Sequence, residues 1–194
     1  MYRNRLAVIV GLAAALALTG CASATASAPG AAAGGGTSTA RTAQAPADGQ
    51  THIMVYSINS DGPDFRAILT GAVGDYGPAV TIHPDATADP EHTSEMELQL
   101  THGSFRLSIT GLDAKVADAF RQRPYNVGTC SDGISFTAAF PVVAGSGTDS
   151  YQRISGSFTV TVTIDEVDVK PVCNGTSKFL SQVILLAGSG TVSL

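Results

Sequence analysis

Tryptophan is missing from this chain, and charge is scarce. The 194 residues hold no Trp, 6% aromatic residues and 14% charged residues, where an average soluble domain has roughly 25% charged. Without Trp, and with only Tyr56, Tyr76, Tyr125 and Tyr151 beyond the first 20 residues, a stacked-ring platform for carbohydrate is hard to build. Lys and Arg number 11 against 16 Asp and Glu, a formal charge of −5. That balance is a poor electrostatic footprint for nucleic acid. Three cysteines without a CxxC spacing exclude a disulfide-dense miniature scaffold and a Cys-based zinc site. No GxSxG, P-loop, GxGxxG or HExxH pattern occurs. The sequence therefore identifies no catalytic residue, and no cofactor or metal is expected.

What is present begins with an address. Arg3 and Arg5 precede Leu6–Leu18, an uncharged apolar run of 13 residues. A membrane-spanning helix needs about 20, whereas 13 suits the apolar stretch of a signal peptide. The run ends in Leu18-Thr19-Gly20-Cys21. These four residues resemble the lipobox of bacterial exported lipoproteins. The resemblance implies cleavage after Gly20, a diacylglyceryl thioether on Cys21, and attachment to the extracytoplasmic face of the cell membrane. Several acyl chains on one residue anchor stably where one would be marginal. The alternative is an ordinary secretory signal cleaved within 22–28, with Cys21 discarded.

Residues 21–50 read as a tether. Of residues 22–50, 25 of 29 are Ala, Gly, Ser, Thr or Pro, and none is Leu, Ile, Val, Phe or Tyr. Such a segment buries too little apolar surface to offset chain entropy, so disorder is expected. As a coil it spans roughly 30 Å. The Ser/Thr/Pro content is also compatible with O-glycosylation.

Residues 51–194 carry 8 basic and 15 acidic side chains and are long enough to bury a core. Their patterning has a period of two. In Ser157–Asp165, Phe158, Val160, Val162 and Ile164 alternate with Ser, Thr and Asp, as a half-buried antiparallel strand requires. Glu95–Thr110 reads as a hairpin. With His102-Gly103 as its two-residue loop, Leu100 faces Phe105, Leu98 faces Leu107, Met96 faces Ile109, and Gln99 meets Arg106. Further strands are expected at 53–58, 65–71, 78–83, 134–140, 179–187 and 191–194, separated by clusters such as 74–78 and Gly188-Ser189-Gly190. A short helix is expected over Asp113–Arg121, with Asp113 as its cap. The fold class that follows is all-β: an antiparallel barrel or sandwich of about eight or nine strands with at most one short helix.

The run Gly147-Thr148-Asp149-Ser150-Tyr151-Gln152-Arg153-Ile154-Ser155-Gly156-Ser157-Phe158 resembles the Gly-rich stretch that leads into a long strand in allene-oxide-cyclase and dirigent-type barrels. Asp149 stands where Gly is usual. The resemblance covers 12 residues, implies a barrel, and carries over no catalytic residue.

Cys130 and Cys173 lie in polar, turn-like contexts of an exported chain, and a structural disulfide between them is expected. Closing 43 residues would contribute ~4 kcal/mol. His52, His83, His92 and His102 share no ligand spacing and read as surface or loop residues. Asp85, Asp89, Glu91 and Glu95 could offer oxygens to Ca²⁺, but their spacing matches no EF-hand or RTX repeat and favours a solvated acidic segment. Asn174-Gly175-Thr176 matches a glycosylation sequon that is usually silent in bacteria.

The reading that collects these features is an anchored, non-enzymatic binding or carrier module for an apolar or amphipathic small molecule. Leu107, Phe158 and Val160 are the expected interior contacts. The alternative is a structural or interaction protein of the cell envelope. A barrel enzyme of cyclase or hydrolase type is the third. Beyond the membrane and a lipid-like ligand no partner is implied, and the oligomeric state is open.

Overall fold

The computed structural model describes residues 46–58, 65–82, 94–123, 125–170, 173 and 179–194. Cys21, His83, His92, Asp85, Asp89, Glu91, the sequon and most of the tether lie outside these residues. Alternation of buried and exposed positions sets the strands. They are β1 (Gly49–Ser57), β2 (Phe65–Gly71), β3 (Asp75–Ile82), β4 (Glu95–Leu100), β5 (Gly103–Ser108), β6 (Ser131–Pro141), β7 (Ser155–Asp168) and β8 (Phe179–Ser193). One helix, α1 (Leu112–Gln122), lies between β5 and β6, and a single 3-10 turn at Asp149–Tyr151 precedes β7.

All eight strands join one antiparallel sheet in the order β5-β4-β3-β2-β1-β8-β7-β6. The sheet curls until its two edge strands meet. Leu107 of β5 bridges Val142, and the Val143 amide donates to the Arg106 carbonyl. The fold is thus a curled, barrel-like meander, and the two-sheet sandwich is set aside. Phe136, on β6, and Leu112, Val116 and Phe120, on α1, pack partly buried against the core at the seam.

The core is the inward row of each strand. Phe105, Leu107, Phe158, Val160, Leu98 and Leu69 are at most 2% exposed. By area, each large apolar side chain buried this way contributes roughly 1.5–3 kcal/mol. The curl depends on Gly188 and Gly190, whose inward Cβ positions would overlap the backbone carbonyls of Thr159 and Ser157 on β7. Phe158 sits opposite Gly190 in the register and Val160 opposite Gly188. Large residues on β7 thereby face the gaps that glycine leaves.

Five expectations are corrected. Gly188-Ser189-Gly190 continues β8 rather than breaking it, so the segments at 179–187 and 191–194 form one strand and the total is eight. β3 starts at Asp75, inside the expected turn cluster. The β4–β5 turn is Thr101-His102, which pairs Leu98 with Phe105, Met96 with Leu107 and Glu97 with Arg106. That slip of two keeps every side chain on its expected face, because the strand period is two. It also lets Glu95 and Glu97, rather than Gln99, meet Arg106, at 3.3 and 4.0 Å. Finally, α1 is capped by Gly111 in the left-handed region (φ 75°), with Asp113 inside the first turn. β1 begins at Gly49, two residues ahead of the expected domain boundary.

Candidate functional site

Three places on the domain concentrate polar, cavity-forming or exposed apolar groups. The first is a carboxylate knot at one end of the sheet. Asp75 opens β3, and its side chain is fully buried. Oδ1 accepts from the Tyr76 amide at 2.7 Å, the Thr101 amide at 3.0 Å and the Thr101 hydroxyl. Oδ2 accepts from the His102 amide at 3.1 Å and the Tyr151 hydroxyl at 2.6 Å, and lies 3.0 Å from His102 Nδ1. Three distant segments thus converge on one carboxylate. Burial pushes the Asp75 carboxyl up, but the hydrogen bonds from Thr101, Tyr151, the Tyr76 amide and His102 outweigh it and hold it well below the usual carboxylate range. Burial, then the Asp75 hydrogen bond and charge, drives the Tyr151 hydroxyl above its ordinary value. The pair is therefore an ionised acceptor and a neutral donor.

The surroundings fix this geometry. Gly103 has φ +132°, and a Cβ there would overlap the Thr148 carbonyl. Ser104 and Thr148 exchange bonds between β5 and the 3-10 segment, and Ser150 donates to the His102 carbonyl. The Tyr151 ring meets Phe105 edge-on at 5.3 Å. An Asp–His contact invites comparison with a catalytic pair, which needs a free nucleophile at the imidazole. Here the hydroxyls of Thr101 and Tyr151 both donate to Asp75. Thr101 Oγ1 also lies 3.2 Å from His102 Nδ1, and the arrangement clasps the start of β3, the β4–β5 turn and the 3-10 turn together, with His102 about one-third exposed at its rim.

The second place is a surface cavity of about 590 Å³, lined by Arg123, Asn126, Ser131, Asp132, Asp165 and Val183 among others. It opens beside the segment that carries Cys130. Cys130 and Cys173 stand at disulfide distance, with Cα atoms 4.9 Å apart. Cys130 is fully buried at φ 62°, and its carbonyl accepts from the Asp168 amide. A cleft of about 300 Å³ lies between α1 and β6. Among the described residues no cluster of three His, Cys, Asp or Glu could hold a metal ion. Glu95 pairs with Arg106, and His52 lies exposed on β1.

The third place is the outer face of β8–β1–β2–β3. Ala187, Met54, Ile68 and Tyr76 follow one another across the four strands, each the register partner of the next. The adjacent row runs Leu185, Tyr56, Arg66 and Pro78. Tyr76 is 66% exposed, Met54 38% and Ile68 36%. On β7 the corresponding outward positions are Ser157, Thr159, Thr161, Thr163 and Asp165. The sheet exterior is therefore divided into an apolar sector and a hydroxyl-rich one.

Of the expected interior contacts, Leu107, Phe158 and Val160 all lie in the single core, and neither cavity is lined by any of them. Sequence reasoning missed Asp75 and the apolar sector. Met54, Tyr56 and Ile58 with Ile53 and Val55 do form a run apolar on both faces, and that signal distinguishes a strand covered on both sides from a half-buried one. Comparison with known proteins finds no matching family model, curated protein or solved structure.

Proposed function

We propose that this chain is an exported lipoprotein, held at the membrane by a diacylglyceryl thioether on Cys21, whose β domain is a non-enzymatic interaction module working through its outer surface. The observation that supports a surface module is the filled interior. Leu107 and Phe158 are 0% exposed and Val160 is 1%, so the positions where a carrier would hold an apolar guest are occupied by the protein's own core. Meanwhile, large apolar side chains stand on the exterior. The small-molecule reading keeps one specific observation in its favour. The outer cavity of about 590 Å³ falls within the size of ligand sites, roughly 300–1,000 Å³, although acidic groups in its lining suit a polar rather than a lipid-like guest.

Two measurements test the proposal. Cys21→Ser should remove the acyl adduct from the intact mass and shift the protein out of the detergent phase, or leave the leader uncleaved. A mutant that partitions like the parent overturns the anchor. Native mass spectrometry of protein from its own host should show the polypeptide with its acyl groups alone. A stoichiometric small molecule in addition would favour carriage.

A further inference from the structure

The apolar sector deepens the reading above and rests on it, since a chain anchored at Cys21 has a face to turn toward its membrane. We propose that the outer surface of β8–β1–β2–β3 docks onto the headgroup region of an anionic lipid bilayer. Tyr76, Met54, Ile68, Val80 and Val183 are each more than a third exposed on this one face, and contiguous apolar surface of this kind marks interaction sites. Its composition suits an interface. Tyr76 offers a ring and a hydroxyl, the amphipathic combination that collects at headgroup level. Ile68 is its register partner, Met54 follows on β1, and Val80 lies four residues along β3.

Charge selects the partner. Among the described residues, the outward positions of these four strands carry no Asp or Glu, and Arg66 stands in the middle with His52 nearby. The nearest acids border it on the flanking strands: Glu97 on β4 is the register partner of Val80 and lies 4.0 Å from Arg106, and Asp165 on β7 is the partner of Val183. The domain as a whole is acidic, with 15 acidic against 8 basic residues over 51–194, yet this face is not. Two copies apposed through it would bring two acidic domains together. An anionic bilayer instead meets a face of opposite sign, each cation near it being worth on the order of fivefold in binding.

The chain between Cys21 and the domain supplies the reach. A flexible coil of 27 residues, the length of 22–48, would span roughly 30 Å. β1 starts at Gly49, and Met54 lies five residues along, about 17 Å at strand rise. The tether holds no Leu, Ile, Val, Met, Phe or Tyr, so it brings no large apolar side chain to cover the sector. Tethering also makes docking intramolecular, at an effective concentration on the order of millimolar. A face too weak to bind from solution is then sufficient.

The test uses the processed full chain with a fluorophore on Thr70→Cys, outward on β2, or on Ala117→Cys, exposed on α1 at the seam. Vesicles of phosphatidylglycerol or phosphatidylcholine carry brominated lipid as quencher. Intact mass first reports whether Cys21 is acylated. Acylated protein is reconstituted, and unacylated protein is added to preformed vesicles at high concentration, so failure of the anchor is read separately from failure of the face. The expected result is several-fold stronger quenching at Thr70 than at Ala117 in phosphatidylglycerol. The contrast should weaken in phosphatidylcholine, fall on the order of fivefold with Arg66→Gln, and vanish when Met54, Ile68 and Tyr76 are all changed to Ser. Equal quenching at the two positions overturns the proposal. So does energy transfer between Thr70 probes without lipid quenching, which would place a second copy on this face.

Discussion

Replacing Asp75 by Asn changes one atom of the side chain and separates its charge from its shape. Asn keeps one oxygen and presents an NH₂ in place of the other. On the Oδ1 side it would face two obligate donors, the amides of Tyr76 and Thr101. On the Oδ2 side it would face one, the His102 amide, together with Tyr151 Oη and His102 Nδ1. A hydroxyl can rotate and an imidazole can change tautomer to accept, so the amide group should settle there. One buried N–H then loses its acceptor, at a cost of ~1–3 kcal/mol, and the remaining bonds lose their charge assistance. The expected loss is about 2–4 kcal/mol in urea unfolding at pH 7. Tyr151→Phe removes one charge-assisted donor and should cost less, about 1.5–3 kcal/mol.

The pH dependence carries the sign. A carboxyl held lower in the folded state than in the unfolded chain contributes stability that is full above the unfolded value, about 3.9. That stability is lost as pH falls toward the folded value. Since Asp75 is depressed, the difference between parent and Asp75→Asn should be constant from pH 5 to 7 and shrink below about pH 4. A variant within 0.5 kcal/mol of the parent at pH 7, or a difference that grows in acid, would refute the account of Asp75 as an ionised clasp; the smaller figure is the scatter expected of surface substitutions, about ±0.5 kcal/mol.

Val160→Trp and Leu107→Trp should each overpack a filled core and cost ~1–3 kcal/mol or more; normal stability of either, measured by thermal unfolding, would reveal room inside the sheet. Cys130 and Cys173 should resist thiol labelling in the native chain and add two protons on reduction, read by intact mass, whereas labelling before reduction refutes the bridge. A chain starting at Pro46 should unfold like the full domain. One starting at Gln50 loses the Ala47–Ala72 backbone bond and the Asp48–Leu194 bond, and should be less stable by about 1–2 kcal/mol; equal urea midpoints would mean that those contacts contribute nothing.

Strand positions were legible because the period of two survives in the inward rows. Phe158, Val160, Val162 and Ile164 alternate so strictly that β7 could be placed to within a few residues at each end. The hairpin of β4 and β5 shows the limit of that signal. Parity decides which face a residue takes, but it is blind to a slip of two, and the register was settled instead by contacts from elsewhere in the chain. Thr101 and His102 are tied to Asp75, 26 and 27 residues earlier, and Tyr151 reaches the same carboxylate from 76 residues later. No local window contains that convergence.

Glycine misled for a related reason. In an isolated sequence Gly188-Ser189-Gly190 reads as a turn, since glycine frees the backbone. In a curled sheet the same residues serve by having no Cβ, which lets β7 approach closely. The distinguishing mark is parity. Gly188 and Gly190 fall on the same inward row as Ile184, Leu186 and Val192, whereas a true turn would not keep step with the strands on either side. The outer sector follows the same logic. Val183, Leu185 and Ala187 alternate with Ile184 and Leu186, so β8 is apolar on both faces for five residues, and so is β1 at Ile53–Val55. In a single curled sheet only one of those faces can belong to the core. The other is left on the surface, and the docking proposed above would give it a reason to remain apolar.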